Sequence, residues 1–245
     1  MHMNFLKKAQ IDFFEAQGYL VVDNLLSLDE VNYYSEVYTS FLNGSIDTSG
    51  FRSDLSGSDS KSIEKITQIM VPGKIYPQLL NEPLHKKTLE IAKELLGDDM
   101  ELDFDMLINK APHTNTETPW HQDEAYWIDM PDKRAVSCWT AIDKATKENG
   151  CMWYTPGSHL KSVLPHIQTG NKGALKCNGN EEGSVCIELN PGSCVFHHGR
   201  TMHYSRGNST EYDRRAYITN YRPNAMIQLE RSKGYDHTGD RKNKA

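Results

Sequence analysis

The sequence predicts a mainly β fold, an antiparallel barrel or jelly roll with flanking helices on its N-terminal side. After Leu102 the chain breaks into short β-prone runs, FDMLINK, AVSCWTAI, CMWYT, SVCIEL, SCVFHH and RAYITNYR, each bounded by turn residues. Before that point the periodicity is mainly helical. A length of 245 residues suits one decorated domain better than two.

The elements follow in order. Ser27 and Glu30 form a capping box, and Leu28, Val31, Tyr34, Val37, Tyr38 and Phe41 continue at helical spacing until Asn43-Gly44 closes the helix. GSIDTSGFRSDLSGSDSKS, from Gly44 to Ser62, reads as a long loop, either an active-site lid or a solvated linker. A second helix is expected over Glu82–Leu96, with Pro83 in its first turn, Leu84, Thr88, Ile91 and Leu95 on one face, and Gly97 as its stop. The β runs then extend to about residue 228, interrupted by the loop from His166 to Gly183. A single domain over 1–228 is expected, with residues 229–245 as a polar, frayed tail.

Composition narrows the function classes. There are 27 basic against 33 acidic side chains, net −6, a poor match for a nucleic-acid binder. No apolar run approaches the ~18 residues of a membrane helix, so no membrane partner is expected. Cys138, Cys151, Cys177, Cys186 and Cys194 are odd in number and lack C-x-x-C spacing, which suggests free, mostly buried thiols in a reducing compartment. MHMNFLKKAQ has no apolar core of a signal peptide, and the chain ends in Lys-Asn-Lys-Ala rather than a peroxisomal tripeptide; the cytoplasm is the expected location.

The chemistry-bearing residues begin at His121-Gln122-Asp123. On a strand, positions i and i+2 share a face, so His121 and Asp123 can hold one metal ion, with donors suited to iron(II), manganese or zinc. The spacing alone is expected about once by chance in this composition. Downstream, SCVFHHGRTMHYSRGNSTEYDRRAYITNY supplies His197, His198 and His203, then Arg214 and Arg215. A distant histidine would complete a two-histidine, one-carboxylate facial triad with three adjacent positions open. Two positions suit a chelating 2-oxo acid and the third dioxygen. The far carboxylate of a dicarboxylate cosubstrate needs a cation, and a guanidinium fork fits it, from Arg214 or Arg215.

From about Gln10 to Pro223 the chain resembles the phytanoyl-CoA dioxygenase family of iron(II)- and 2-oxoglutarate-dependent oxygenases. The resemblance rests on IDFFEAQGYLVVDNLLSLDEV, DMLINKAP, WHQDEAYW, NGCMWYTPGSH and HGRTMHYSRGN, in that order. It implies a double-stranded β-helix with a cupin-like core. The family's distal ligand lies in an H-x-S-x-x-N stretch with the cosubstrate arginine eleven residues later, which His203-Tyr204-Ser205-Arg206-Gly207-Asn208 and Arg214 fit. The implied metal ligands are therefore His121, Asp123 and His203. Arg214, helped by Ser205, holds the cosubstrate, while Gln122, Met106 and Trp139 line its pocket; an ordinary core role is the other reading of Met106 and Trp139. His197 and His198 fit neither spacing and read as structural, or as supporting the ligands from behind.

The implied cofactors are Fe(II), 2-oxoglutarate and O2, with ascorbate as a stimulant. The implied reaction hydroxylates an unactivated C–H bond of a small-molecule metabolite and releases succinate and carbon dioxide; desaturation and cyclisation are other outcomes of the same chemistry. Related halogenases lack the carboxylate ligand, so Asp123 disfavours halogenation. Glu124-Ala125-Tyr126-Trp127 offers either an aromatic wall for a hydrophobic or cationic substrate or plain aromatic packing. The rival classes are a metal-dependent cupin-like hydrolase or isomerase and a non-catalytic small-molecule-binding barrel.

Overall fold

The computed structural model describes residues 5–57, 64–169 and 174–237. The elements run α1 (Lys8–Gln17), β1 (Tyr19–Val22), α2 (Leu28–Leu42), β2 (Arg52–Asp54), β3 (Ile66–Met70), α3 (Pro72–Ile75), α4 (Pro83–Leu96), β4 (Met100–Lys110), β5 (Thr118–His121), β6 (Val136–Ala141) and β7 (Met152–Tyr154). They continue as β8 (Ile167–Gln168), β9 (Leu175–Lys176), β10 (Val185–Ile187), β11 (Cys194–His198), β12 (His203–Ser205), β13 (Arg214–Pro223) and α5 (Asn224–Ser232).

The helices begin and end on their caps. Ser27 Oγ accepts from Glu30 N, while the Glu30 carboxylate accepts from Ser27 N, so two otherwise orphaned amides open α2 satisfied. Pro83 occupies the first turn of α4, and Gly97, at φ 121°, ends it.

The strands form two facing antiparallel sheets in jelly-roll fashion, ordered β1-β11-β6-β13-β4-β3-β2 and β10-β7-β12-β5, beside a small β8-β9 hairpin. Strand alternation assigns each residue of the large sheet to a layer. On β13, Tyr217 and Tyr221 face outward: Tyr217 packs edge-on to Tyr34 of α2, and Tyr221 shares a hydrogen bond with Thr88 of α4. Ala216 and Ile218 face inward with Trp139, Ala141 and Val195, against Met152 and Tyr154 of the small sheet. The helices therefore seal one face, and the other is free to line a site between the sheets.

Three expectations are corrected and one is extended. The first hundred residues are mainly helical, but they also hold β1, β2 and β3, which provide three of the seven strands of the large sheet. β1 and β3 lie between helices and pair with β11 and β4 farther along the chain, so local periodicity carries little of their signal. The Gly44–Ser62 loop contains β2, paired with β3; its residues 58–62 lie outside the described residues, and so does the lid reading as far as it depends on them. The tail does not fray at Glu230, because α5 crosses the expected 228/229 boundary and Glu230 is buried against Arg222. Finally, Asp123 is not on a strand with His121, as the site geometry shows.

Among the described residues no helix is long and apolar enough to cross a membrane. All five cysteines are free, four of them buried.

Candidate active site

β5 and β12 are antiparallel neighbours, with His121 directly opposite His203. His121 ends its strand, Gln122 stays extended, and Asp123 opens one 3-10 turn, Asp123–Tyr126. Arg200 pins this turn by forking onto the Glu124 carboxylate at 2.7 and 2.8 Å, while Glu124 N donates to Gly199 O. The turn folds the Asp123 side chain back towards the strand. Its Oδ1 lies 3.6 Å from His121 Nε2 and 3.5 Å from His203 Nε2. The i, i+2 spacing thus brings the expected residues together through a turn instead of a pleat.

Each ring is oriented from behind. His121 Nδ1 lies 2.8 Å from Pro119 O, and His203 Nδ1 2.8 Å from Thr201 O; with Nδ1 the donor in both, the Nε2 lone pairs face the Asp123 oxygen. Burial holds both imidazoles below their ordinary pKa. Burial opposes ionisation of Asp123, but His203, His197 and His121 outweigh it and hold the carboxyl well below the usual range. Three unprotonated donor atoms pointing at one another, on two buried rings and one partly buried carboxylate, fit a divalent cation; without one they would repel.

The other oxygen of Asp123 faces the large sheet. Oδ2 accepts from Ser137 Oγ at 2.8 Å and from His197 Nε2 at 3.2 Å. Asn220 Nδ2 donates to Ser137 Oγ at 2.9 Å, and Tyr154 OH lies 3.2 Å from His197 Nδ1. Tyr19, His197, Ser137 and Asn220 form one inward-facing row across β1, β11, β6 and β13. Motif spacing did not mark Ser137, Asn220 or Tyr154; the alternation of His197 with Val195 was the available signal. His198, on the opposite face, accepts from Arg200 N and lies beside His159, and burial pushes its pKa down to about 3.

The next inward row is Val195, Trp139, Ile218 and Met106. Past it lies Arg214, 1% exposed, its Cζ 5.0 Å over the Trp139 ring. Among the described residues its Nε and Nη1 meet no acceptor, and burial lowers its pKa to about 10. Arg215 points the other way, forking onto Asp143 and donating to Ser35 of α2. Lys110, opposite Arg214, donates to the carbonyls of Thr116, Ser205 and Arg206 and is thereby satisfied. An anion between the sheets would meet Arg214, and a carboxylate matches its open fork.

The remaining expected residues divide. Ser205 shares the inward face of β12 with His203. Met106 Sδ accepts from Gln68 Nε2 at 3.3 Å. The Gln122 amide is tied to loop main chain at both ends, donating to Arg200 O and accepting from Leu164 N. Trp127 is packing: a Cβ at Gly199 would fall 2.6 Å from its ring, and Arg222 Cζ lies 5.0 Å over it. Tyr126 stands edge-on to His121 at 5.9 Å, and its hydroxyl accepts from Leu175 N.

A jelly roll with two histidines and a carboxylate between its sheets, and a buried arginine on the inner face of the opposite sheet, defines a class of metal-dependent barrel. Comparison with known proteins narrows that class. The phytanoyl-CoA dioxygenase family model matches residues 14–216, and the chain belongs to that family. A probable phytanoyl-CoA dioxygenase of Caenorhabditis elegans is 27% identical over 241 residues, covering 89% of this chain and 76% of the relative. Among solved structures, EvdO2 from Micromonospora carbonacea var. aurantiaca is 30% identical, with a TM-score of 0.75, covering 89% of this chain and 91% of that one; it is also known complexed with 2-oxoglutarate. The alpha-ketoglutarate-dependent carbocyclase SnoK of nogalamycin biosynthesis, 23% identical with a TM-score of 0.72, covers 89% of this chain and 84% of its own and shares the fold. Iron(II) and 2-oxoglutarate are the metal and cosubstrate of this oxygenase family.

Proposed function

We propose that this chain is an oxygenase that hydroxylates an unactivated C–H bond of a small-molecule metabolite. His121, Asp123 and His203 would hold iron(II), and Arg214 the distal carboxylate of 2-oxoglutarate. The observation that carries the reading is the buried guanidinium of Arg214, without an acceptor on Nε and Nη1 among the described residues, on the inner face of the sheet opposite the two histidines. A hydrolase or isomerase built on the same three donors has no use for that cation.

When bound, iron(II) with 2-oxoglutarate supplies the oxidation, splitting dioxygen between succinate and the substrate with loss of carbon dioxide. The chain's own residues supply the geometry. His121, Asp123 and His203 would hold the metal from one side and leave room for the cosubstrate. Arg214 fixes the cosubstrate's far end, and Ser205 lies on the matching face of the small sheet. Met106, Ile218 and Trp139 form an apolar floor that excludes water and strengthens the carboxylate–guanidinium pair. Asp123 supplies a carboxylate where a halogenating site needs room for halide, which favours hydroxylation. Carbocyclisation in SnoK keeps ring closure among the products to look for.

The test is succinate release from 2-oxoglutarate with iron(II), ascorbate and a metabolite panel, read with product mass. A gain of one oxygen is expected in the stimulating substrate. A loss of two hydrogens would replace hydroxylation with desaturation or cyclisation, and absence of 2-oxoglutarate binding with metal present would favour the hydrolase or binding-barrel classes.

A further inference from the structure

Asp123 can bind a metal through one oxygen or two, and the difference matters for an octahedral ion. With one oxygen and two imidazoles, three positions stay open, enough for a chelating 2-oxo acid and dioxygen together. With two, only two stay open, and the cosubstrate and dioxygen compete.

The hydrogen bonds behind Asp123 bear on this choice. Oδ1 faces the two Nε2 atoms, while Oδ2 already takes two donors from the opposite sheet, Ser137 Oγ and His197 Nε2. A single protonation assignment satisfies the whole chain of contacts. Asn220 donates to Ser137, Ser137 donates to Asp123, Tyr154 donates to His197 Nδ1, and the Nε2–H of His197 donates to Asp123. Asn220, Ser137, Tyr154 and His197 are all buried, where low surrounding polarity strengthens each bond of the chain. We infer that His197 and Ser137 are positioning residues that confine Asp123 to one-oxygen coordination and so keep a metal position free for the cosubstrate. The inference rests on the oxygenase reading above.

The experiment uses the full chain loaded with Mn(II) or Co(II) without oxygen. Mn(II) affinity is measured first, then 2-oxoglutarate affinity for the Mn(II) form, and the Co(II) visible spectrum reports coordination number. His197→Leu should weaken 2-oxoglutarate binding about tenfold or more, the usual range for residues that orient metal ligands. It should also shift the Co(II) spectrum. His197→Gln, whose amide can again donate to Oδ2, should restore most of both. Ser137→Ala removes a smaller group from the same oxygen and should move both readouts in the same direction if His197→Leu does not fold. Variants that match wild type in affinity and spectrum overturn the clamp alone, as does a His197→Gln no better than a folded His197→Leu. A wild type that takes up no Mn(II) overturns the oxygenase reading itself.

Discussion

Burying a guanidinium without an acceptor costs on the order of several kcal/mol, and Arg214 carries that burden while Arg215, one residue on, is fully engaged with Asp143 and Ser35. The strand's two-residue alternation puts them on opposite faces, so they should respond differently to truncation. Arg214→Ala removes the partner of a buried charged pair in the ternary complex, about 2 kcal/mol or more, so the 2-oxoglutarate KM should rise at least about 30-fold. The ligand-free melting temperature should not fall, because an uncompensated buried charge has gone. Arg215→Ala should leave that KM near wild type and cost about 1 kcal/mol of stability through its lost hydrogen bonds. Steady-state kinetics with thermal melts separates the two residues, and an unchanged KM in Arg214→Ala would move the carboxylate site elsewhere. Asp123→Ala should abolish succinate release and remove most metal affinity in an equilibrium titration; full activity would take Asp123 out of the ligand set.

Helix α5 shows which parts of the fold a sequence conceals. Glu230 and Arg231 look like solvated surface charges, and the segment reads as a tail. In the fold, a register shift in the β4–β13 ladder at Asn220/Tyr221 leaves Asp103 out of the pairing, with its carboxylate against Arg222 and Arg231. There Asp103 and Glu230 share Arg222, Arg231 and His237. Such pairing is set by three-dimensional closure, and no periodicity encodes it. The same limit hid β1 and β3, whose partners are distant, and the Ser137–Asp123 bond, which joins two sheets. What was legible was local: the Ser27–Glu30 box, the Pro83–Gly97 helix, the six strand runs bounded by turn residues. The H-x-D and H-x-S-x-x-N spacings also held together in space, although Asp123 proved to open a turn. The α5 cluster has a calculable pH response. Burial pulls His237 down, but hydrogen bonds to Asp103 and Glu230 prevail and raise its pKa, so its contribution is complete below ~6.5 and fades as pH rises through the raised value. Asp103 and Glu230, despite burial, are held at about 2 by His237 and the arginines, so theirs is present above ~4 and lost as pH falls towards 2. Docking of α5 should therefore be tightest between about pH 4 and 6.5. Hydrogen exchange corrected for intrinsic rates should show weaker protection of α5 at pH 8.5 than at pH 6, and His237→Ala should flatten that difference; equal protection in wild type would refute the assignment.

At the scale of the whole molecule the site is a joint between two sheets. His121 and His203 belong to the four-stranded sheet, while the seven-stranded sheet carries Arg214 and holds Asp123 through Ser137 and His197. A metal and a cosubstrate bound there would tie the sheets together, and neither would bind the unfolded chain as a pair. Ligands that bind only the folded state stabilise it by RT ln(1 + [L]/Kd), about 2.7 kcal/mol at a hundredfold excess over Kd. For a domain of this size each kcal/mol raises the melting temperature by roughly 2–4 °C, so saturating metal should give about 5–10 °C. The cosubstrate chelates the metal at one end and meets Arg214 at the other, so its effect should be conditional. 2-Oxoglutarate alone should shift the melt little, and with Mn(II) present it should add a further rise. That second rise should vanish in Arg214→Ala while the metal's own rise survives, and both should vanish in Asp123→Ala. Equal stabilisation by 2-oxoglutarate with and without metal would mean that it binds away from the three donors, and the joint between the sheets would then be structural only.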